Sequence, residues 1–76
     1  MSKTDYNTLM NEVIEITRRT RKLARTLGNE AAYKQAEEFE QGAGNAYRNR
    51  NVEHLEDNLT ALKELEKALK NNTVQN

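Results

Sequence analysis

The feature that most constrains the fold is an apolar stripe in the first third of the chain. Its members recur at alternating spacings of three and four residues, and one of the seven is polar. They are Tyr6, Leu9, Val13, Ile16, Thr20, Leu23 and Leu27. Because a helix turns by about 100° per residue, these side chains share one face. The spacing predicts an amphipathic helix that packs against other helices.

The rest of the chain carries two similar stripes. The second consists of Ala32, Ala36, Phe39, Ala43 and Ala46. The third consists of Val52, Leu55, Leu59, Leu62, Leu65 and Leu69. The chain has no proline and few aromatic residues, so helix is the regular structure that we expect throughout. In the second stripe, small alanines favour close helix packing, with Phe39 at the centre.

Capping residues divide the stripes into three helices. Gly28 is suited to the left-handed position that ends a helix, and Asn29 to the capping position that starts the next. We assign the same two roles to Asn49 and Asn51 in the second connection. Short connections join antiparallel neighbours, so the fold class is all-α, an antiparallel up-down-up three-helix bundle.

The whole chain, residues 1–76, is one domain in this interpretation. The first helix begins near Thr4 or Asp5, where Ser2 and Asp5 resemble a capping box. The helices span about 4–27, 30–48 and 52–70, and a polar tail at 71–76 is expected to be disordered.

Gly42 and Gly44 are unusual inside the second helix, because each glycine costs about 0.5–1 kcal/mol relative to alanine. We expect a close backbone approach or a local bend there. A phosphate-binding loop is excluded, since no strand precedes these glycines and no Lys-Ser or Lys-Thr pair follows them.

Composition excludes several classes of protein. The chain has no cysteine and a single histidine, His54, so we expect no metal site and no cofactor. His54 and Asn58 lie one turn apart, but no orienting group or substrate pocket accompanies them, so we expect no catalytic residue. No apolar run is long enough to span a membrane, and the N-terminus lacks an apolar signal core. We therefore expect a cytoplasmic protein with no membrane partner.

Twelve basic and twelve acidic residues cancel overall, but the first helix is basic. Four of its cations, Arg18, Arg21, Lys22 and Arg25, lie opposite the apolar stripe. They can bind phosphates or an acidic partner, or they can be a solvated face that complements the helix dipole. If the cations bind phosphates, aromatic and basic residues of the second helix and second connection can add stacking surfaces. If the cations are a solvated face, the same residues lie at the edge of the core. These residues are Tyr33, Tyr47, Arg48 and Arg50.

Two apolar residues of the first helix, Met10 and Ile14, fall away from the stripe that Val13 and Ile16 occupy. A three-helix core does not explain an outward isoleucine, so this patch is a candidate docking surface for a partner helix or a second copy. The candidate binding residues are Met10, Ile14, Arg18, Arg21, Lys22 and Arg25.

The second half of the chain resembles a known family. In helix length and leucine spacing, residues 36–40 (AEEFE) and 49–65 (NRNVEHLEDNLTALKEL) resemble the C-terminal helical lid of the seventy-kilodalton heat-shock chaperones, the DnaK family. The resemblance implies a small helical bundle. No ATPase domain, β-sandwich or acidic C-terminal motif accompanies it, so it implies a lid-like module rather than a chaperone. It implies no catalytic or substrate-contacting residue.

From these observations we expect a non-enzymatic protein–protein interaction module, either lid-like or a small adaptor or inhibitor. Its partner is another protein or a second copy of the chain. The alternative is a binder of nucleic acid or an anionic ligand that uses the basic face of the first helix. A third hypothesis, an enzyme of the helical-bundle kind, requires a pocket with convergent polar groups.

Overall fold

The computed structural model describes residues 5–75, and the side chains as far as residue 71. The chain forms three helices, α1 (Tyr6–Leu27), α2 (Glu30–Arg48) and α3 (Val52–Gln75). Each helix packs against the other two. The predicted three-helix bundle is therefore confirmed. None of the helices, over the residues described, is long and apolar enough to cross a bilayer.

Contacts between the helix ends give the direction of each helix. The Tyr47 hydroxyl near the end of α2 donates to Asn7 Oδ1 at the start of α1. At the opposite end of the bundle, Arg25 donates to the Tyr33 hydroxyl. Helix α2 is thus antiparallel to α1. Arg19 pairs with Glu66 in the second half of α3, so α3 runs parallel to α1 in an up-down-up order.

The core contains two apolar clusters, and most of the predicted stripe residues belong to them. The larger cluster contains Val13, Ile16, Ala36, Ala43, Ala46, Leu55, Leu59 and Leu62. The smaller contains Ala24, Ala32 and Leu69. Phe39, which we expected at the centre of the second stripe, packs against the larger cluster and is only partly buried. Alanines occupy the centre of α2 instead, which lets this helix lie close to its neighbours.

Gly28 and Asn29 form the first connection as predicted. Gly28 has a left-handed backbone (φ 70°, ψ 26°), and its N–H donates to the Arg25 carbonyl. The Asn29 N–H donates to the Ala24 carbonyl, which completes a Schellman motif. The Asn29 side chain then caps α2 by accepting from the Ala32 N–H at 3.0 Å.

The second connection repeats this motif with a different residue in the left-handed position. Arg50 has φ 56°, whereas Asn49 has φ −89° and ψ 1°, so the prediction that Asn49 is left-handed is wrong. The left-handed position is thus one residue later than predicted. The hydrogen bonds of the motif agree with this position, because the Arg50 N–H donates to the Tyr47 carbonyl and the Asn51 N–H to the Ala46 carbonyl. Asn51 caps α3 as predicted, accepting from the His54 N–H at 3.1 Å.

The chain termini differ from prediction in two details. Asp5 itself is the N-cap of α1, accepting from the Asn7 N–H, while Ser2 and Thr4 lie outside the described residues. Helix α3 continues to Gln75, five residues beyond the expected end at Lys70. No glycine or proline follows Lys70 to end the helix, and polar residues alone do not stop it. Asn76 lies outside the described residues.

Helix α2 passes through Gly42 and Gly44 without a break. A Cβ atom on Gly42 would lie 2.9 Å from Asn58 Oδ1 on α3, so the helices approach closely at this position. A Cβ atom on Gly44 would have no neighbour within 4 Å. The close neighbour of Gly42 is thus a side chain and not the backbone of α3, and nothing in the packing requires a glycine at position 44.

Candidate functional site

The candidate apolar patch on α1 is smaller than predicted. Ile14 is 37% exposed, in agreement with its outward direction in the sequence pattern. Met10 is partly buried and packs against the larger core cluster, so its expected outward position is wrong. Helix α1 lies between two neighbours, and the face that it buries is wider than the predicted stripe. Of the two residues, Ile14 is exposed and Met10 is partly buried.

Cations continue the line of Ile14 along the helix. Arg18 and Lys22 follow Ile14 at successive steps of four residues, and Arg25 comes three residues later, so the four side chains share one outward face. Arg18 and Lys22 are exposed and make no ion pair with any described residue. This outward face of α1 (Ile14, Arg18, Lys22 and Arg25) is available to a partner.

Arg21, the remaining cation of the predicted set, lies on the side of α1 that faces α2. There it contacts Tyr33, as Arg25 does. The guanidinium carbons of Arg25 and Arg21 lie 5.3 and 5.8 Å from the centroid of the Tyr33 ring, within cation–π range. Arg25 Nη2 also donates to the Tyr33 hydroxyl at 3.2 Å. Two guanidinium groups one turn apart are thus held against a single aromatic ring.

Acidic residues of α2 lie on the far side of Arg21. Its Nη1 atom is 3.7 Å from Glu37 Oε2 and 4.0 Å from Glu40 Oε1. This pairing was not predicted from the sequence. The distances are long and all three side chains are partly exposed, so each pair contributes at most about 1 kcal/mol to stability.

The basic side chains surround a shallow groove of about 330 Å³ between α1 and α2. It is lined by Arg18, Arg21, Lys22, Arg25 and Tyr33. We call it the cationic groove. Four cations and no acidic residue line the groove, and Glu37 and Glu40 beside it partly offset the charge of Arg21. Low-dielectric walls of one sign focus the potential and attract an anion.

Sequence reasoning identified the four cations but not their association with Tyr33. The signal was present in the spacing around the first connection. In two antiparallel helices, residues at equal distances from the connection face each other, and Arg25 and Tyr33 are nearly equidistant from Gly28–Asn29. Arg21 is one turn before Arg25 on the same face, which brings it to the same ring.

Arg19, the neighbour of Arg18, has a structural role on the opposite side of α1. Its Nε and Nη2 atoms donate to the two Glu66 oxygens at 2.9 and 3.2 Å, and Lys70 Nζ lies 3.7 Å from Glu66 Oε2. The Glu66 side chain is only 10% exposed. The hydrogen bond from Arg19 holds the pKa of Glu66 below its ordinary value, and burial opposes this shift. Glu66 and Lys70 are four residues apart, the spacing at which opposite charges pair along a helix.

Tyr47, Arg48 and Arg50 do not join the cationic groove. They lie at the other end of the bundle, where the Tyr47 hydroxyl donates to Asn7 and the Tyr6 hydroxyl donates to the Arg50 carbonyl. Both tyrosines thus tie the start of α1 to the second connection. The basic residues of the two ends therefore form separate surfaces rather than one continuous track.

His54 and Asn58 are linked through the backbone, since Asn58 Nδ2 donates to the His54 carbonyl at 2.9 Å. The His54 imidazole is exposed and has no hydrogen-bond partner among the described residues. Over the same part of the chain, no group of three histidine, aspartate or glutamate side chains is arranged to hold a metal ion.

Comparisons with known proteins add no family to this description. No family model matches the chain, and the searches of curated proteins and of solved structures also give no match.

Proposed function

We propose that this chain is a non-enzymatic protein-binding module and that the outward face of α1 contacts the partner. The observation that carries the proposal is the exposed Ile14 in line with Arg18 and Lys22, two cations without ion pairs among the described residues. An apolar anchor beside unpaired charges is the arrangement that combines burial with electrostatic steering in protein interfaces.

The size of the surface sets the strength of the interaction. The twelve residues from Ile14 to Arg25 extend about 17 Å along the helix axis. Fully burying an isoleucine side chain contributes about 1.5–3 kcal/mol, and rim charges mainly raise the association rate. A single helix face of this length belongs to the small, transient class of interface.

The resemblance of the second half to the heat-shock chaperone lid supports the lid-like form of this proposal, in which the bundle acts against another domain or protein. An adaptor or inhibitor would use the same surface on α1. A cytoplasmic setting remains part of the proposal, and a second copy of the chain is an alternative partner.

The cationic groove also favours a second candidate function, binding to nucleic acid. Three features of the structure weigh against this candidate. The Tyr33 ring already packs against Arg21 and Arg25, Glu37 and Glu40 lie beside the groove, and the other basic residues lie at the far end of the bundle. Few phosphates would therefore be contacted, and the expected salt dependence of binding is shallow.

A retention experiment with matched variants tests the proposal. The immobilised protein is incubated with a nuclease-treated lysate of cells that express it, and retained proteins are quantified by mass spectrometry. Ile14→Ser removes the apolar anchor, and Ala68→Ser makes a matched change at an exposed alanine of α3. We expect the same proteins to be retained by the wild type and Ala68→Ser and to be lost with Ile14→Ser.

Two results would contradict the proposal. One is a set of retained proteins that is the same for Ile14→Ser, for the wild type and for a double Arg18→Gln, Lys22→Gln variant. The other is retention that disappears entirely on nuclease treatment, which would favour the nucleic-acid candidate. Raised salt should weaken retention without abolishing it, because screening removes the steering charges but not the contact of Ile14.

A further inference from the structure

The four cations of the groove are more closely spaced than helix stability favours. They occupy positions 18, 21, 22 and 25, so each is three or four residues from two others. Like charges at these spacings destabilise a helix. The helix dipole explains a cation in the last turn, which is Arg25, but its effect does not extend back to Arg18. Helix stability alone therefore does not account for the cluster.

The groove brings these charges together around one point. Along the axis, the four residues span about 10 Å, and they line the same space as Tyr33. Tyr33 holds Arg21 and Arg25 in place, so little side-chain freedom remains for an anion to remove. The Tyr33 oxygen accepts a hydrogen bond from Arg25, which leaves the phenolic hydrogen available to an anion.

The charge of the groove indicates which anion fits it. A carboxylate carries one charge and two oxygens, whereas a phosphate monoester carries nearly two charges and three acceptor oxygens. Guanidinium groups bind phosphate oxygens through paired, charge-assisted hydrogen bonds. The ion pairs of Arg21 with Glu37 and Glu40 are long, at 3.7 and 4.0 Å, and a phosphate can replace them.

We infer that the cationic groove binds the phosphate monoester of a phosphorylated side chain on the partner protein. The inference rests on the proposed function, because it names the chemistry that the partner presents beside Ile14. Arg18, Arg21, Lys22 and Arg25 contact the phosphate, and Tyr33 acts as a positioning residue for two of them.

Amide NMR titration of the isotope-labelled chain tests this inference with small probes. Phenyl phosphate supplies the monoester dianion, dimethyl phosphate supplies the diester of a nucleic-acid backbone, and benzoate supplies a carboxylate. We expect phenyl phosphate to shift the amides of residues 18–25 and Tyr33 saturably, and the other two anions to bind about tenfold more weakly.

Variants distinguish specific binding in the groove from a general attraction of the anion to positive charge. The Arg18→Gln, Lys22→Gln variant changes two exposed side chains without ion pairs among the described residues, so it should fold. We expect it to weaken the binding of phenyl phosphate about tenfold. Tyr33→Phe keeps the ring contact with both arginines but removes the hydrogen bond from Arg25, and should weaken binding by a smaller factor. Lys63→Gln removes an exposed cation from α3 and should leave binding unchanged.

The outcomes are distinct. Equal binding of dimethyl phosphate would overturn the assignment in favour of a nucleic-acid backbone, and equal binding of benzoate would overturn it in favour of an acidic segment. Absence of a saturable shift in the groove, or the same loss in Lys63→Gln as in the double variant, would also overturn it. The proposed function fails separately, because its test is the dependence of protein retention on Ile14 and involves no phosphate probe.

Discussion

Two threonines of α1 are enclosed in the core without hydrogen-bond partners. Thr17 and Thr20 are 1% and 0% exposed, and neither hydroxyl is bonded to any described residue. A helical threonine often donates to the carbonyl four residues before it, but these two do not. A buried hydroxyl without a partner costs about 1–3 kcal/mol of desolvation free energy.

We predict that Thr20→Val stabilises the protein by about 1 kcal/mol, because valine fills the same space without a polar atom to bury. Chemical denaturation measures the change in the free energy of unfolding. Thr60→Val, at an exposed position of α3, is the control and should change it little. A loss of stability in Thr20→Val would show that its hydroxyl is satisfied in solution.

Arg50 is in a backbone conformation that suits glycine. At φ 56° it occupies the left-handed position of the second connection, where Gly28 occupies the equivalent position of the first. A side chain in this region costs about 1–2 kcal/mol. The hydrogen bond from the Tyr6 hydroxyl to the Arg50 carbonyl, together with the two bonds of the Schellman motif, holds the backbone there.

We predict that Arg50→Gly raises the free energy of unfolding by about 1 kcal/mol, since glycine adopts this conformation without strain. Gly28→Ala should lower it by about the same amount, although no atom lies within 4 Å of the added Cβ. Thermal or chemical denaturation of both variants measures these changes. If both have the same sign, strain at the left-handed position is not the cause.

At the scale of the helices, the two glycines of α2 have different reasons for their presence. A Cβ atom on Gly42 would meet the Asn58 side chain, whose amide is held by the His54 carbonyl, whereas a Cβ atom on Gly44 would meet nothing. Alanine is favoured over glycine inside a helix by about 1 kcal/mol at both positions. At Gly42 the displacement of Asn58 opposes that gain.

We therefore predict that Gly44→Ala stabilises the protein by about 0.5–1 kcal/mol and that Gly42→Ala gains clearly less. In an Asn58→Ala background the obstacle is absent, so Gly42→Ala should then recover the gain seen at Gly44. The free energies of unfolding of this double-mutant cycle measure the coupling. Equal effects of both glycine substitutions in the wild-type background would mean that Asn58 moves at no cost.

The Arg19–Glu66 pair links α1 to α3 and makes stability depend on pH. Arg19 lowers the pKa of Glu66 in the folded state, so the folded protein binds fewer protons than the unfolded chain. The contribution of this carboxylate is fully present above the ordinary glutamate pKa of 4.5 and is lost as the pH falls through the lower folded pKa.

Glu66→Gln isolates this effect from the other carboxylates. We expect the substitution to lower the free energy of unfolding by about 1–2 kcal/mol at neutral pH, because Arg19 loses a charged acceptor. The difference from the wild type should shrink as the pH falls from 4.5 through the lower folded pKa, because Glu66 of the unfolded chain takes up a proton first. Denaturation curves across this range measure it, and a difference that does not change with pH would contradict the assignment.

The sequence predicted the helices well because periodic burial dominates their formation. Val13, Ile16 and Thr20 are buried as the stripe indicated. The stripe missed Ala24 and Thr17, which are also buried, because α1 contacts two helices and buries a wider face than one line of residues. Arg50 was missed for a different reason, since tertiary hydrogen bonds override the local preference of asparagine for the left-handed position.

At the scale of the whole molecule, the bundle separates its charges although its net charge is zero. The cationic groove lies between α1 and α2, and the first half of α3 carries Glu53, Glu56 and Asp57, all exposed. The bundle is about 42 Å long, so these surfaces occupy limited parts of it. The sequence predicted the cations and Ile14 and indicated Tyr33 as a stacking surface, but it did not predict the contact of Tyr33 with two of the cations, because that contact requires the register between two helices.

The most direct test of the account maps a retained partner onto the chain. The amide NMR spectrum of the labelled protein is recorded with and without the partner whose retention depends on Ile14. We predict that shifts concentrate in residues 14–25 of α1 and at Tyr33, with the exposed face of α3 unchanged. Shifts centred on Glu53, Glu56 and Asp57, with α1 unaffected, would contradict it.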